Sequence, residues 1–148
     1  RGLCPEDFAL FHPGGSLGKR LLLKVEELMG SGERLPLVPD DATVKRALFE
    51  ITSKGYGAAF VVGPAGALAG IFTDGDLRRL LEDRGPEGLE LPVSEVMTRH
   101  PKMIDREKLA AEALAVMERH EISVLAVVDG SVPVGIIHLH DLLKAGVA

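Results

Sequence analysis

"GIFTDGDL", residues 70–77, returns as "GIIHLHDL" at 135–142, an offset of 65, and the fold turns on that return. Upstream, "VEELMG" at 25–30 comes back as "VSEVMT" at 93–98, so Met29 corresponds to Met97 at an offset of 68. Between these two pairs the offset is 66. Val44, Ala47, Leu48 and Ile51 stand at i, i+3, i+4 and i+7, which is one apolar helix face. Adding the offset gives Ala110, Ala113, Leu114 and Met117, apolar at the same spacing. Small drifts in offset are loop deletions, which the surface tolerates. The chain is an internal duplication.

Each copy has a simple local grammar. A helix begins after Asp40, Asp41 and Thr43 in the first copy and after Asp105 in the second, all capping residue types. It ends near "SKGYG" or "RHEI". A short β-branched strand follows, "AAFVV" at 58–62 or "SVLAVV" at 123–128. A Gly/Pro turn, "GPAGA" or "DGSVP", leads to a second strand, "LAGIF" or "PVGII". The repeated turn then opens a last helix, about 75–83 or 140–145. "EDRGPEGLELP", 82–92, has linker chemistry. Each copy is thus β-α-β-β-α, too small to cover its own sheet, and two copies packed sheet to sheet would share a core. The fold class is α+β.

Bulk properties narrow the function. The chain has 148 residues, 46% hydrophobic, 26% charged and 4% aromatic, with a net charge of −5. That is one domain-sized core, and its acidity argues against a nucleic-acid partner. The single cysteine, Cys4, cannot close an internal disulfide, which fits a reducing, cytoplasmic setting. No apolar run approaches the ~18 residues of a membrane span, and no leader opens the chain. The opening "RGLCPEDF" has no initiator methionine and reads as cut from inside a longer protein.

The turn around residue 75 carries the chemistry. Capping alone would account for Thr73 or Asp74 before the helix and Asp76 in its first turn. A calcium loop would need oxygen ligands beyond the glycine, where "LRRLL" stands instead. A ligand reading uses every feature together. The helix N-terminus and the Thr73 hydroxyl offer donors to an anion. The Asp76 carboxylate accepts from a ribose diol. Arg78 or Arg79 reaches phosphate or carboxylate, at most one of them facing the site. In the second copy His138 replaces the threonine, His140 precedes the matching aspartate, and Asp141 is retained. In extended backbone the two histidines would share a face, which raises zinc. No cysteine or third histidine stands close by in sequence, so no metal site is expected. His120 ends a helix, where a cationic cap is the ordinary role. The expected role of His138 and His140, with Asp141 beside them, is instead to hydrogen-bond a ligand or the neighbouring copy, and the second copy's site is expected to be specialised or silent.

The paired "hxxhM" segments and the Gly-h-x-x-x-x-Asp turns resemble a CBS-domain pair, a Bateman module, over about residues 24–146. The boundaries are 24–83 for the first repeat, 84–92 for the linker and 93–148 for the second repeat. That resemblance implies a regulatory module binding nucleotides in clefts between the copies, with Thr73 and Asp76 matching the residues that hold ribose and phosphate. It also implies disc-like homodimers. Residues 1–23 match neither copy. "EDFALFHPGGSLGKRLL" followed by "VEELM" resembles the junction between a sugar isomerase (SIS) domain and a CBS pair in D-arabinose 5-phosphate isomerases of the KpsF/GutQ type. That family interconverts D-ribulose 5-phosphate and D-arabinose 5-phosphate on the route to the lipopolysaccharide sugar Kdo. His12 matches a histidine implicated in its catalysis, here without the rest of its site. The resemblance therefore implies a non-catalytic regulatory piece of an isomerase, with CMP-Kdo as the favoured ligand and no cofactor. The competing expectations are an adenine-nucleotide energy sensor, a ligand-free oligomerisation module and a metal-responsive module.

Overall fold

The computed structural model describes residues 22–148; His12 and the rest of the expected isomerase tail up to residue 21 lie outside them. The first copy runs β1 (Leu37–Pro39), α1 (Val44–Lys54), β2 (Ala58–Val62), β3 (Leu68–Thr73) and α2 (Asp74–Arg84). The second copy opens with a two-residue strand, β4 (Thr98–Arg99), and continues with β5 (Met103–Asp105), α3 (Ala110–His120), β6 (Val124–Asp129), β7 (Val132–His138) and α4 (Leu139–Lys144). The β-α-β-β-α order holds in both copies. In each, a helix crosses over between two parallel strands, β1/β2 and β5/β6, and a hairpin adds an antiparallel third.

The helices form where the apolar stripe dictates. Val44, Ala47 and Ile51 of α1 are buried, as are Ala110, Ala113 and Met117 of α3, with Leu48 and Leu114 packed at their edges. Thr43 caps α1, accepting the Arg46 N–H at 3.4 Å, and Gly55 ends it at φ 78°. The second copy departs from expectation here. Asp105 is not the cap of α3: its carboxylate accepts the Glu107 N–H at 2.9 Å, one turn too early. Glu112 reaches back instead to the Leu109 N–H at 3.2 Å. The residues expected as a linker are also packed. Gly85–Glu90 form a 3-10 helix, and Leu89 and Leu91 sit against the first core.

The sheets face each other. Phe60 of β2, Ala126 of β6 and Ile136 of β7 form a buried layer between the copies. A full Phe side chain removed from such a layer costs about 3–5 kcal/mol.

The two "hxxhM" segments cross. Val25 packs into the second copy's core, donating its N–H to the Lys108 carbonyl at 2.8 Å, and Gly30 exchanges backbone hydrogen bonds with Ile136. Leu23 joins that arrangement, its carbonyl accepting the Ala110 N–H at 2.7 Å. Glu26 accepts from the Arg106 Nε at 2.9 Å. Val93 does the reverse, entering the first copy's core and donating to the Ala42 carbonyl at 2.8 Å, while β4 pairs with β3. Each copy is completed by the entry segment of the other. The repeated glycines explain how closely. A Cβ on Gly70 would lie 2.5 Å from the Met97 sulfur, and one on Gly135 would meet the Met29 sulfur. Glycine stands in both strands, β3 and β7, because a methionine from the opposite copy lies over it.

Candidate functional site

Strand β3 delivers Thr73 to the point where α2 starts, and a reciprocal cap forms there. The Thr73 Oγ1 accepts the Asp76 N–H at 3.2 Å, and the Asp76 carboxylate accepts the Thr73 N–H at 3.0 Å. The Asp74 N–H is used by the Gly57 carbonyl at 3.0 Å. With its oxygen accepting, the Thr73 hydroxyl keeps a proton to donate, and the Asp76 carboxylate retains lone pairs. Capping and ligand binding are therefore compatible in the same side chains.

Thr73 and Asp76 open into a cleft of about 810 Å³. Tyr56 and Gly57 line it from the first copy, His138 from the end of β7, and two segments from the second copy, 98–102 and 120–124. The volume lies within the range of a nucleotide-sized site. Its charge is divided. Asp74 and Asp76 stand on the α2 side, whereas the second copy brings Arg99 and Lys102, the imidazoles of His100 and His120, and one further carboxylate, Glu121.

The other residues expected at the site stand elsewhere. Neither Arg78 nor Arg79 lines the cleft. Arg79 folds back one turn to Asp76, its Nη2 donating at 2.7 Å, as i and i+3 positions on a helix allow. His140 and Asp141 are likewise outside it. Asp141 accepts the His138 N–H at 2.8 Å, and the Nδ1 of His138 accepts the His140 N–H at 3.0 Å. His138 thus performs the capping task of Thr73 with a ring nitrogen in place of a hydroxyl. The expectation that the two histidines share an extended face fails because the chain leaves β7 at His138 and enters α4 at Leu139. Their rings sit 4.4 Å apart and tilted. Among the described residues, no group of three or more His, Cys, Asp or Glu is placed to hold a metal. Burial lowers the His138 pKa, the neighbouring His140 lowers it further, and Asp141 opposes both.

At the equivalent place in the other half, Arg34 and Tyr56 meet. At an offset of 68, Thr98 and Lys102 correspond to Gly30 and Arg34. The Arg34 guanidinium donates to the Tyr56 hydroxyl at 2.8 Å and lies 5.9 Å from its ring centre. A Cβ on Gly30 would meet that hydroxyl.

Comparison with known proteins places these features in a family. The CBS-domain model matches residues 25–83 and 93–148. This chain belongs to the CBS-domain family, as a tandem pair. It is 53% identical over 148 residues to the arabinose 5-phosphate isomerase KdsD of Pseudomonas aeruginosa, a match that covers 99% of this chain and 45% of that protein. To the KdsD of Francisella tularensis it is 46% identical over 145 residues, 97% of this chain and 44% of that protein. The chain thus spans less than half the length of these curated relatives. The crystal structure of CBSX2 in complex with AMP superimposes with a TM-score of 0.72 at 22% identity, over 84% of this chain and 96% of that one, a likeness of fold. Among the described residues, no helix is long and apolar enough to cross a membrane.

Residues 98–102 and 120–124 carry no binding motif of their own. A signal for them does exist. At the equivalent offsets His100 corresponds to Gly32 and Glu121 to Gly55, so the copies differ where glycine gives way to a charged or titratable side chain.

Proposed function

We propose that this CBS pair is the regulatory module of an arabinose 5-phosphate isomerase and binds one nucleotide sugar, CMP-Kdo in preference to AMP or ATP. The observation that carries this reading is the Thr73–Asp76 cap opening into the inter-copy cleft with a hydroxyl proton and carboxylate lone pairs still available. Asp76 takes the ribose diol, the Thr73 hydroxyl a phosphate oxygen, and the cationic 99–102 segment the remaining anionic groups. The similarity to KdsD isomerases across 99% of the chain supports the parent activity. An end-product ligand on such a parent would give feedback control of the pathway. In that parent, catalysis belongs to the isomerase domain, and these residues report ligand to it. The module is expected to associate as a homodimer.

The contact between Tyr56 and Arg34 at the equivalent place in the other half supports a single occupied cleft per chain. An adenine-nucleotide sensor is the second reading. It is favoured by the AMP bound to CBSX2 and by Tyr56, whose ring in the cleft offers a nucleobase a stacking surface. A triphosphate would add charge beside Asp74, Asp76 and Glu121, which favours a ligand with one phosphodiester.

The test is calorimetry with CMP-Kdo, CMP, AMP and ATP at equal concentration. Binding at ~100 times Kd stabilises the fold by about 2.7 kcal/mol, so thermal shift provides an independent readout. CMP-Kdo is expected to bind most tightly, at one per chain. Tighter binding of AMP or ATP would transfer the module to energy sensing, and no binding by any of the four would leave a structural module.

A further inference from the structure

Two non-glycine residues among those described have positive φ, His100 at 54° and Glu121 at 56°. Both line the inter-copy cleft. Their counterparts in the first copy, at offsets of 68 and 66, are Gly32 at φ 61° and Gly55 at φ 78°. The fold therefore needs left-handed backbone at both places in each copy. The first copy meets that need with glycine, the residue that adopts it without steric penalty. The second copy puts side chains there despite the Cβ clash this backbone imposes. Such outliers concentrate where function requires a side chain in a fixed place.

The side chains themselves are uncommitted. Neither His100 nor Glu121 has an ion-pair partner among the described residues, and both are exposed at the mouth of the cleft. Glu121 stands between His120 and Ile122 at the C-terminus of α3. His100 lies between Arg99 and Lys102 in a cationic run. One offers only acceptors, and the other offers a donor within positive charge.

We infer that His100 and Glu121 are the specificity-determining pair of this cleft, reading a polyhydroxylated acid group on the ligand: its carboxylate at His100 and its hydroxyls at Glu121. This rests on the nucleotide-sugar reading of the same cleft and adds to it the residues that tell a sugar acid from a bare nucleotide. Thr73 and Asp76 serve the nucleotide part, which CMP and CMP-Kdo share.

The experiment compares CMP and CMP-Kdo binding by calorimetry in the wild-type chain and in His100→Gly, Glu121→Gly and His100→Ala. Each glycine variant is expected to bind CMP-Kdo about tenfold more weakly, the loss of one charge-assisted hydrogen bond, with CMP changed by less than about twofold. Both glycine variants should also melt about 2–4 °C higher than wild type as the backbone strain is relieved. His100→Ala should lose the same affinity without that rise, which separates the binding effect from the strain. A glycine variant that keeps the wild-type preference for CMP-Kdo, or one that melts lower, overturns the inference. If wild type binds CMP and CMP-Kdo equally, the pair reads no sugar acid while the nucleotide reading stands. If wild type binds neither, both fall.

Discussion

The crossing of the entry segments makes a demand on Gly70 that can be worked through atom by atom. In Gly70→Ala the new methyl group would sit 2.5 Å from the Met97 sulfur and 2.8 Å from the Thr98 carbonyl oxygen, inside ordinary contact distance for both. The sulfur can swing aside because methionine is flexible. The carbonyl cannot move as freely, since Gly70 and Ile71 of β3 are paired with Arg99 and Thr98 of β4. Overpacking of this kind costs about 1–3 kcal/mol, or about 3–10 °C in melting temperature for a chain of this size. The identity of the obstructing methionine is the sharper question. A double-mutant cycle of Gly70→Ala with Met97→Ala should show coupling of about 0.5–3 kcal/mol, because removing the sulfur relieves half of the clash. The cycle of Gly70→Ala with Met29→Ala should be additive to within about 0.5 kcal/mol. For Gly135→Ala the partners exchange, with coupling to Met29 and additivity with Met97, since Met29 lies over Gly135. Urea denaturation at equilibrium supplies the free energies, provided the slope with denaturant is unchanged across the set. Coupling of Gly70 to Met29 instead of Met97 would mean that each entry segment returns to its own copy, and the crossed fold would be refuted.

The remaining expectations concern the caps and the cleft. Asp76→Ala should weaken nucleotide binding by about 1.5–3 kcal/mol, and calorimetry should find Asp141→Ala close to wild type. Both substitutions break a reciprocal cap, so each should also lower stability by about 0.5–2 kcal/mol in denaturation, which keeps the binding effect separable from the folding effect. His138 should make stability fall with acidity. Its pKa is lowered on folding, so the folded chain favours the neutral ring. Stability is then full above the ordinary histidine value near 6.5 and is lost as pH falls below it through the folded value. Melting curves between pH 8 and 5 should therefore show a decline that flattens in His138→Thr, where a hydroxyl takes over the cap. The chain itself should not turn over arabinose 5-phosphate in a coupled assay, since the proposed parent's catalytic groups are represented here by His12 alone.

The duplication and the helix faces were legible because a buried stripe at i, i+3, i+4 and i+7 leaves a periodic trace, and Val44 through Met117 repeat it at a fixed offset. The role of Thr73 was legible for a local reason. A hydroxyl before a helix and a carboxylate three residues later can close on each other whatever the rest of the chain does. Arg79 is less legible, because a charge near an anion site suggests a ligand contact while its i+3 spacing from Asp76 also gives it a partner within the helix at 2.7 Å. The histidine pair misled through an assumption about backbone. Residues two apart share a face only in a strand, and the strand ends at His138.

The crossing was hidden for a deeper reason. A repeated methionine and a repeated glycine have the same sequence signature whether each methionine lies over its own glycine or over the other, so periodicity cannot choose between the two connections. Differences between copies carry more functional information than their likenesses. Where both copies keep glycine, as at 70 and 135, the backbone demand is mutual and structural. Where the first copy keeps glycine and the second does not, as at 32 against 100 and 55 against 121, the same left-handed turn is made with and without a side chain. Only the second copy then bears the steric cost, on the order of 1 kcal/mol per residue. Both residues border the same cleft, whereas Arg34 and Tyr56 meet at the equivalent place in the other half. The asymmetry is therefore directional: the first copy keeps glycine at these two turns, and the second carries side chains beside the cleft at positions where glycine would have served the backbone better.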